Sequence, residues 1–127
     1  MENKLLLAYV RLLYVQMYVT ICTYGCYLLS KIEKATTLSA AFKTRVTAEA
    51  KFLRAYFYFD LVRFFGRVPL ITSVLATDDL YKQVQSTPAQ VYAQMEKDWR
   101  EADPVLPPTI SATEKGRISM GAAKAQL

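Results

Sequence analysis

The chain has 127 residues, of which 53% are hydrophobic and 13% aromatic, with nine Tyr and six Phe. This length allows one domain with a single hydrophobic core, and so apolar a composition excludes an intrinsically disordered chain. The net charge of +5 comes from basic residues that are dispersed among apolar ones. Nucleic-acid-binding surfaces cluster their basic residues, so we expect no nucleic-acid partner.

Catalytic and metal chemistry have little support in the sequence. The chain contains no His and only four Gly, which leaves no His base and no glycine-rich phosphate loop. Cys22 and Cys26 lie four residues apart on a predicted helix, where their side chains run parallel, and this geometry suits a disulfide badly. We interpret both as small buried hydrophobic residues. We therefore expect no enzyme, no metal site and no cofactor.

The first predicted element is a long helix over residues 5–34. Residues 12–29 contain no charged side chain, and this length is sufficient for a membrane span. Tyrosines and the polar Gln16, Thr20 and Thr23 are distributed through the segment rather than gathered at its ends, which counts against a span. A small membrane-inserted protein that uses residues 12–29 as its span is nevertheless an alternative interpretation.

A second helix is predicted over residues 45–65, with Ser39 or Thr44 as its capping residue. Apolar residues at helical spacing form two stripes, one of Val46, Leu53, Phe57, Leu61 and Phe64, the other of Phe52, Tyr56 and Phe59. A helix that is apolar on two sides packs between neighbours. We expect the aromatic residues Tyr56, Phe57 and Phe59 to be core residues.

The end of this helix is predicted from Gly66, which suits a helix-ending position with positive φ. Pro69 then disfavours helix at Val68. Residues 70–85 show little periodicity and are predicted to be a linker.

A third helix is predicted over residues 88–103, because Thr87 offers a hydroxyl cap and Pro88 suits the first helical position. Its apolar stripe comprises Val91, Tyr92, Met95, Trp99 and Ala102. A short fourth helix is predicted over residues 119–127, with Ser119 as its cap. No strand pattern competes, so the predicted class is all-α, built from tetratricopeptide-like antiparallel helix pairs.

A set of motifs follows in order along the chain. The run E-A-K-F-L-R-A-Y and the later run F-G-R-V-P-L together contain Glu49, Phe52, Leu53, Arg54, Ala55, Phe65, Gly66, Val68 and Pro69. Asp98 in the third helix and the pair Gly116-Arg117 extend the pattern. Taken together, these motifs resemble the SusD/RagB family, surface lipoproteins of Bacteroidetes that capture glycans or peptides.

The resemblance implies that residues 1–127 are a partial SusD-like helical domain in which the motif residues have structural roles. It also implies capture of an oligosaccharide or other nutrient at the cell surface, on the outer membrane, together with a SusC-type TonB-dependent transporter. Tyr14 and Tyr18 resemble early aromatic positions of the family and are the candidate ligand contacts, since tyrosine rings can stack on sugars.

Because the chain shows no export signal and no anchoring Cys, we expect it to be a truncated SusD-like protein. An isolated chain of this kind is expected to be marginally stable or to aggregate. A helical scaffold for protein partners is a further interpretation that the repeat-like architecture allows.

Overall fold

In a computed structural model of the protein, the described residues are Ala8, Leu13, Met17, Thr20, Ile21, residues 25–80 and residues 82–127, with the backbone alone for Thr77 and Leu80. Residues 25–34 are helical and are named α1. The other elements are α2 (Ala40–Phe65), β1 (Val68–Pro69), α3 (Thr77–Leu80), β2 (Gln85–Ser86), α4 (Pro88–Ala102), the 3-10 turn η1 (Ala112–Glu114) and α5 (Met120–Gln126).

The core lies where α2 packs against α4, and α5 adds Ala123 to it. The two long helices are antiparallel, since Lys51 contacts Glu101 whereas the later Arg54 contacts the earlier Asp98. The prediction of an all-α fold built from antiparallel helix pairs is therefore confirmed.

The start of α2 differs from the prediction. The helix begins at Ala40 rather than at residue 45, and Ser39 is its cap, accepting a hydrogen bond from the N–H of Phe42 at 3.3 Å. Thr44 lies inside the helix, where its hydroxyl donates to the carbonyl oxygen of Ala40 at 2.9 Å. The early start is explained by the good helix formers that directly follow the cap.

The end of α2 follows the prediction. Gly66 has φ 73° and donates its N–H to the carbonyl oxygen of Val62 at 2.9 Å. The next residues form β1, which pairs antiparallel with β2 through Val68 opposite Ser86 and Pro69 opposite Gln85. The predicted linker of residues 70–85 therefore holds α3 and ends in a strand, because a pairing between distant segments leaves no local periodicity.

The third and fourth predicted helices correspond to α4 and α5. Thr87 and Gln90 form a reciprocal capping box at the start of α4, and Pro88 occupies its first position. Ser119 takes the N-cap position of α5, although its side chain makes no capping hydrogen bond there. The local signals thus place both starts within one residue.

The predicted stripes on α2 are wrong at several positions. The buried residues of this helix are Ala48, Phe52, Ala55, Tyr58, Leu61 and Val62. Leu53, Tyr56 and Phe64 are 42%, 41% and 74% exposed, and Tyr92 on α4 is also exposed. Because α2 carries apolar residues on more than one side, its periodicity alone cannot identify the face that packs. Phe57 and Phe59 pack partly buried against the core, as predicted.

The segment of residues 12–29, which the alternative interpretation treats as a membrane span, lies partly outside the described residues, as do Cys22 and the predicted helix start at residue 5. Among the helices of the described part, none has both the length and the apolar character that crossing a membrane requires. Cys26 is buried, as predicted.

Tyr58 fixes the chain that leaves α2. Its side chain is 1% exposed, and its hydroxyl accepts a hydrogen bond from the N–H of Ile71 at 2.7 Å. The same hydroxyl lies 3.2 Å from the carbonyl oxygen of Ile71 and 3.4 Å from that of Pro69, and can donate to either. One buried phenol thus supplies hydrogen-bonding partners to backbone groups of the segment that follows α2.

We predict that Tyr58→Phe lowers the free energy of unfolding by about 1–3 kcal/mol, because the substitution leaves the buried N–H of Ile71 without its acceptor. Urea denaturation measures the change. Tyr56→Phe removes the same atom from an exposed ring and should stay within about 0.5 kcal/mol of the wild type. Equal effects of the two substitutions would contradict the anchoring role.

Candidate functional site

The most buried charged group in the described part of the chain is the carboxylate of Asp98, which is 1% exposed. Arg54 grips it with two hydrogen bonds, from Nε to Oδ2 at 2.7 Å and from Nη2 to Oδ1 at 2.6 Å. Gln94, one turn earlier on α4, donates to Oδ1 at 2.9 Å. This bidentate arrangement is the strong form of a carboxylate–guanidinium contact.

Arg54 also reaches beyond the helix pair. Its Nη1 lies 3.3 Å from the carbonyl oxygen of Thr72 and 3.7 Å from Sγ of Cys26 on α1. Burial of the guanidinium lowers the pKa of Arg54. The hydrogen bonds and the charge of Asp98, together with Cys26, raise this pKa by a larger amount, so the net shift is upward. Arg54 is therefore a permanent cation joining α1, α2, α4 and the segment after β1.

A second group of charges connects α2 to the segment around η1. Arg45 and Arg117 alternate with Glu49 and Glu114 in a ring of four side chains. Arg117 donates from Nε and Nη2 to the two oxygens of Glu49 at 3.0 and 2.9 Å, and Arg45 holds both oxygens of Glu114 at 3.0 Å. The hydrogen bonds from Arg45 lower the pKa of Glu114, and the hydrogen bond to Glu49 raises the pKa of Arg117.

The motif residues found in the sequence thus meet as pairs: Glu49 meets Arg117, and Arg54 meets Asp98. The apolar motif residues Phe52, Ala55 and Val68 belong to the core, Phe65 packs against it, and Leu53 is exposed. Gly66 and Gly116 both have positive φ, at 73° and 95°, and Pro69 lies in β1. Tyr14 and Tyr18 lie outside the described residues.

Sequence reasoning missed Arg45, Lys51, Gln94, Glu101 and Glu114 as partners in these contacts. Three local spacings could have found some of them: Arg45 and Glu49 and Gln94 and Asp98, each four residues apart, and Glu114 and Arg117, three apart. Their long-range partners carry no such signal.

Two open cavities lie along the cleft between α1, α2 and α4. One of about 360 Å³ is lined by Ile32, Thr47 and Val105 among others, and one of about 450 Å³ is lined by Ser30, Ser73 and Gln94 among others. Glu33, Lys51 and Glu101 line both, so the two are adjoining parts of one groove. Lys51 spans it by contacting Glu101 at 2.7 Å, and this hydrogen bond lowers the pKa of Glu101.

We predict that Arg54→Met lowers the free energy of unfolding by roughly 3 kcal/mol or more, because it leaves a buried carboxylate unpaired. The double variant Arg54→Met/Asp98→Leu should recover most of that loss, since it removes both charges. Chemical denaturation compares the variants. Arg100→Met, which removes an exposed ion pair with Glu96, is the matched control and should cost less than about 1 kcal/mol.

We predict that acid weakens the ring of four charges. Because the pKa of folded Glu114 lies below the ordinary value of 4.5, its contribution is complete above about pH 4.5 and is lost as the pH falls through the lower folded value. Urea unfolding between pH 7 and pH 3 should therefore show a shallower acid-side decline for Glu114→Gln than for the wild type. Glu96→Gln, at an exposed pair on α4, should retain most of the wild-type decline; identical profiles for all three proteins would refute the prediction.

The chain is similar to a known protein family and to several solved structures. A SusD-like family model, described as starch-binding and associating with the outer membrane, matches residues 3–127. Similar structures include a laminarin-binding SusD-like protein, 38% identical with a TM-score of 0.83 over 89% of this chain and 24% of that protein. A SusD-like protein from Bacteroides fragilis is 31% identical, with a TM-score of 0.82 over 89% of this chain and 22% of that protein.

A SusD superfamily protein from Parabacteroides distasonis is 32% identical, with a TM-score of 0.79 over 90% of this chain and 24% of that protein. No curated protein matches the chain. The chain thus spans less than a quarter of the length of these solved relatives. The family match covers nearly the whole chain and agrees with the motifs and with the fold, and the protein belongs to the SusD/RagB family.

Proposed function

We propose that this chain forms part of the helical scaffold of a SusD-like protein. That protein captures glycans or other nutrients at the surface of the outer membrane. In this proposal the captured ligand passes to a SusC-type TonB-dependent transporter, and the protein itself catalyses no reaction. The observation that carries the proposal is the family match over residues 3–127, whose description combines starch binding with the outer membrane. The identity of 38% with a laminarin-binding protein supports a glycan as the ligand.

The geometry supports a scaffold role for the motif residues. The charged motif residues hydrogen-bond to each other at distances of 2.6–3.0 Å: Arg54 to Asp98, and Arg117 to Glu49. Side chains that are committed in this way hold helices in register and have little capacity left for a ligand. We therefore propose that the motif residues position the scaffold.

Glycan capture is tested by titrating the purified protein with laminarin and with soluble starch in a calorimeter. We expect saturable binding of at least one of these neutral glucans. Arg100→Met, on the exposed side of α4 and not among the residues that line the groove, should bind like the wild type. Absence of binding to both glucans by a folded protein would count against glycan capture.

The transporter partnership is tested separately by cross-linking the tagged protein in cells that carry its own operon. We expect a TonB-dependent transporter, identified by mass spectrometry, to be the main cross-linked outer-membrane protein. Recovery of the protein without any such transporter would remove this part of the proposal and leave glycan capture standing.

A further inference from the structure

The groove between α1, α2 and α4 stays open, although the contacts that hold these helices together do not depend on it. Its two parts measure about 360 and 450 Å³, which is within the size range of ligand sites. Its walls carry hydroxyl, amide and charged groups, including Ser30, Ser73, Gln94 and Lys97. We propose that this groove is a binding site for a neutral saccharide, held through hydrogen bonds to its hydroxyl groups.

The charge of the groove favours a neutral ligand. Four cationic and three anionic side chains line the two parts together, which gives a net charge of only +1: Lys43, Lys51, Arg54, Lys97, Glu33, Asp98 and Glu101. Two of the acids are already paired, Asp98 with Arg54 and Glu101 with Lys51. A strongly charged ligand would find no large uncompensated field, whereas sugar hydroxyls can both donate to carboxylates and accept from ammonium groups.

The groove is also held in shape before any ligand arrives. Arg54 holds Asp98 and the carbonyl oxygen of Thr72, and Tyr58 holds the N–H of Ile71. The backbone just before Ser73, at the rim of the groove, is therefore fixed. The ionic side chains Glu33 on α1 and Lys97 on α4 stand on different walls of the groove. Groups that are pre-positioned in this way bind with less loss of conformational entropy.

The described lining residues include no aromatic ring. Sugar sites that hold a ligand tightly usually add a stacking ring, so the groove is a weak, hydrogen-bonding contact for part of a glycan. The inference rests on the proposed function, because it assigns a contact for the same class of ligand to these helices.

The test uses the double variant Lys97→Met/Glu33→Gln. It removes the charges of Lys97 and Glu33, which lie on different walls of the groove, and keeps the size of the two side chains. Calorimetry with laminarin and with maltotriose, a short starch fragment, should show affinity that is roughly tenfold lower than in the wild type, the loss expected for hydrogen bonds to charged groups. The control Lys124→Met/Glu96→Gln makes the same chemical changes outside the groove and should bind like the wild type.

Amide chemical shifts of the wild type give a second readout that does not depend on the folding of the variant. Addition of maltotriose should move the signals of Ser30, Ser73 and Gln94 more than those of α5. Wild-type binding by the double variant, or unmoved groove signals in a protein that binds glucan, would overturn the inference while the proposed function stands.

Two further outcomes complete the test. If the folded wild type binds neither laminarin nor maltotriose, the proposed function and the inference fall together. If polygalacturonate, an anionic polysaccharide, moves the groove signals and displaces maltotriose from them, the groove prefers charged ligands and the assignment to neutral saccharides is overturned.

Discussion

A carboxylate that folding removes from water must be neutralised, and the packing of this chain depends on how it neutralises Asp98. An unpaired charge at this depth would cost several kcal/mol, and the observed register of α4 on α2 avoids this cost by bringing Asp98 to Arg54. In that register Lys51 meets Glu101 one turn away. Apolar burial supplies the driving force for packing the two helices, and a register that separated Asp98 from Arg54 would lose stability through the unpaired carboxylate.

The two faces of α2 have different electrostatic partners. Arg54 and Tyr58 are one turn apart and hold α4 and the segment after β1. Arg45 lies nine residues before Arg54, which is roughly half a turn around the helix, and with Glu49 it holds the segment from η1 to Arg117. The helix is therefore fixed from two sides, as its apolar composition indicated, although the residues that do the fixing are charged or hydroxylated.

Local chemistry in the sequence predicted the end of α2 and the starts of α4 and α5, although it left the start of α2 open between Ser39 and Thr44. Ser39, Gly66 and Thr87 act where their side chains or backbone preferences suggested, because a cap or a positive φ depends on a few neighbouring residues. The choice of packing face on α2 could not be predicted in the same way. Exposed Leu53 and buried Leu61 are the same kind of residue on the same helix, and what distinguishes them is the tertiary packing around α2.

The candidate site was predictable only in part. The motif residues were recognisable one by one, but Glu49 and Arg117 lie 68 residues apart and Arg54 and Asp98 lie 44 apart. Nothing local in the sequence says that these charges neutralise each other. The groove was not predictable at all, since it arises from the spacing of three helices rather than from any one segment.

The short pairing of β1 with β2 has a consequence for the region between them. Val68 and Pro69 lie against Ser86 and Gln85, and Ile71 and Thr72, just beyond Pro69, are still held to α2 by Tyr58 and Arg54. The connection between the two strands therefore moves away from these anchors only after Thr72. A connection whose two ends lie close together can gain or lose residues at small cost, because the entropy of loop closure depends only logarithmically on loop length. The connection after Thr72 is therefore the part of this region where a change of length would disturb least how α2 meets α4.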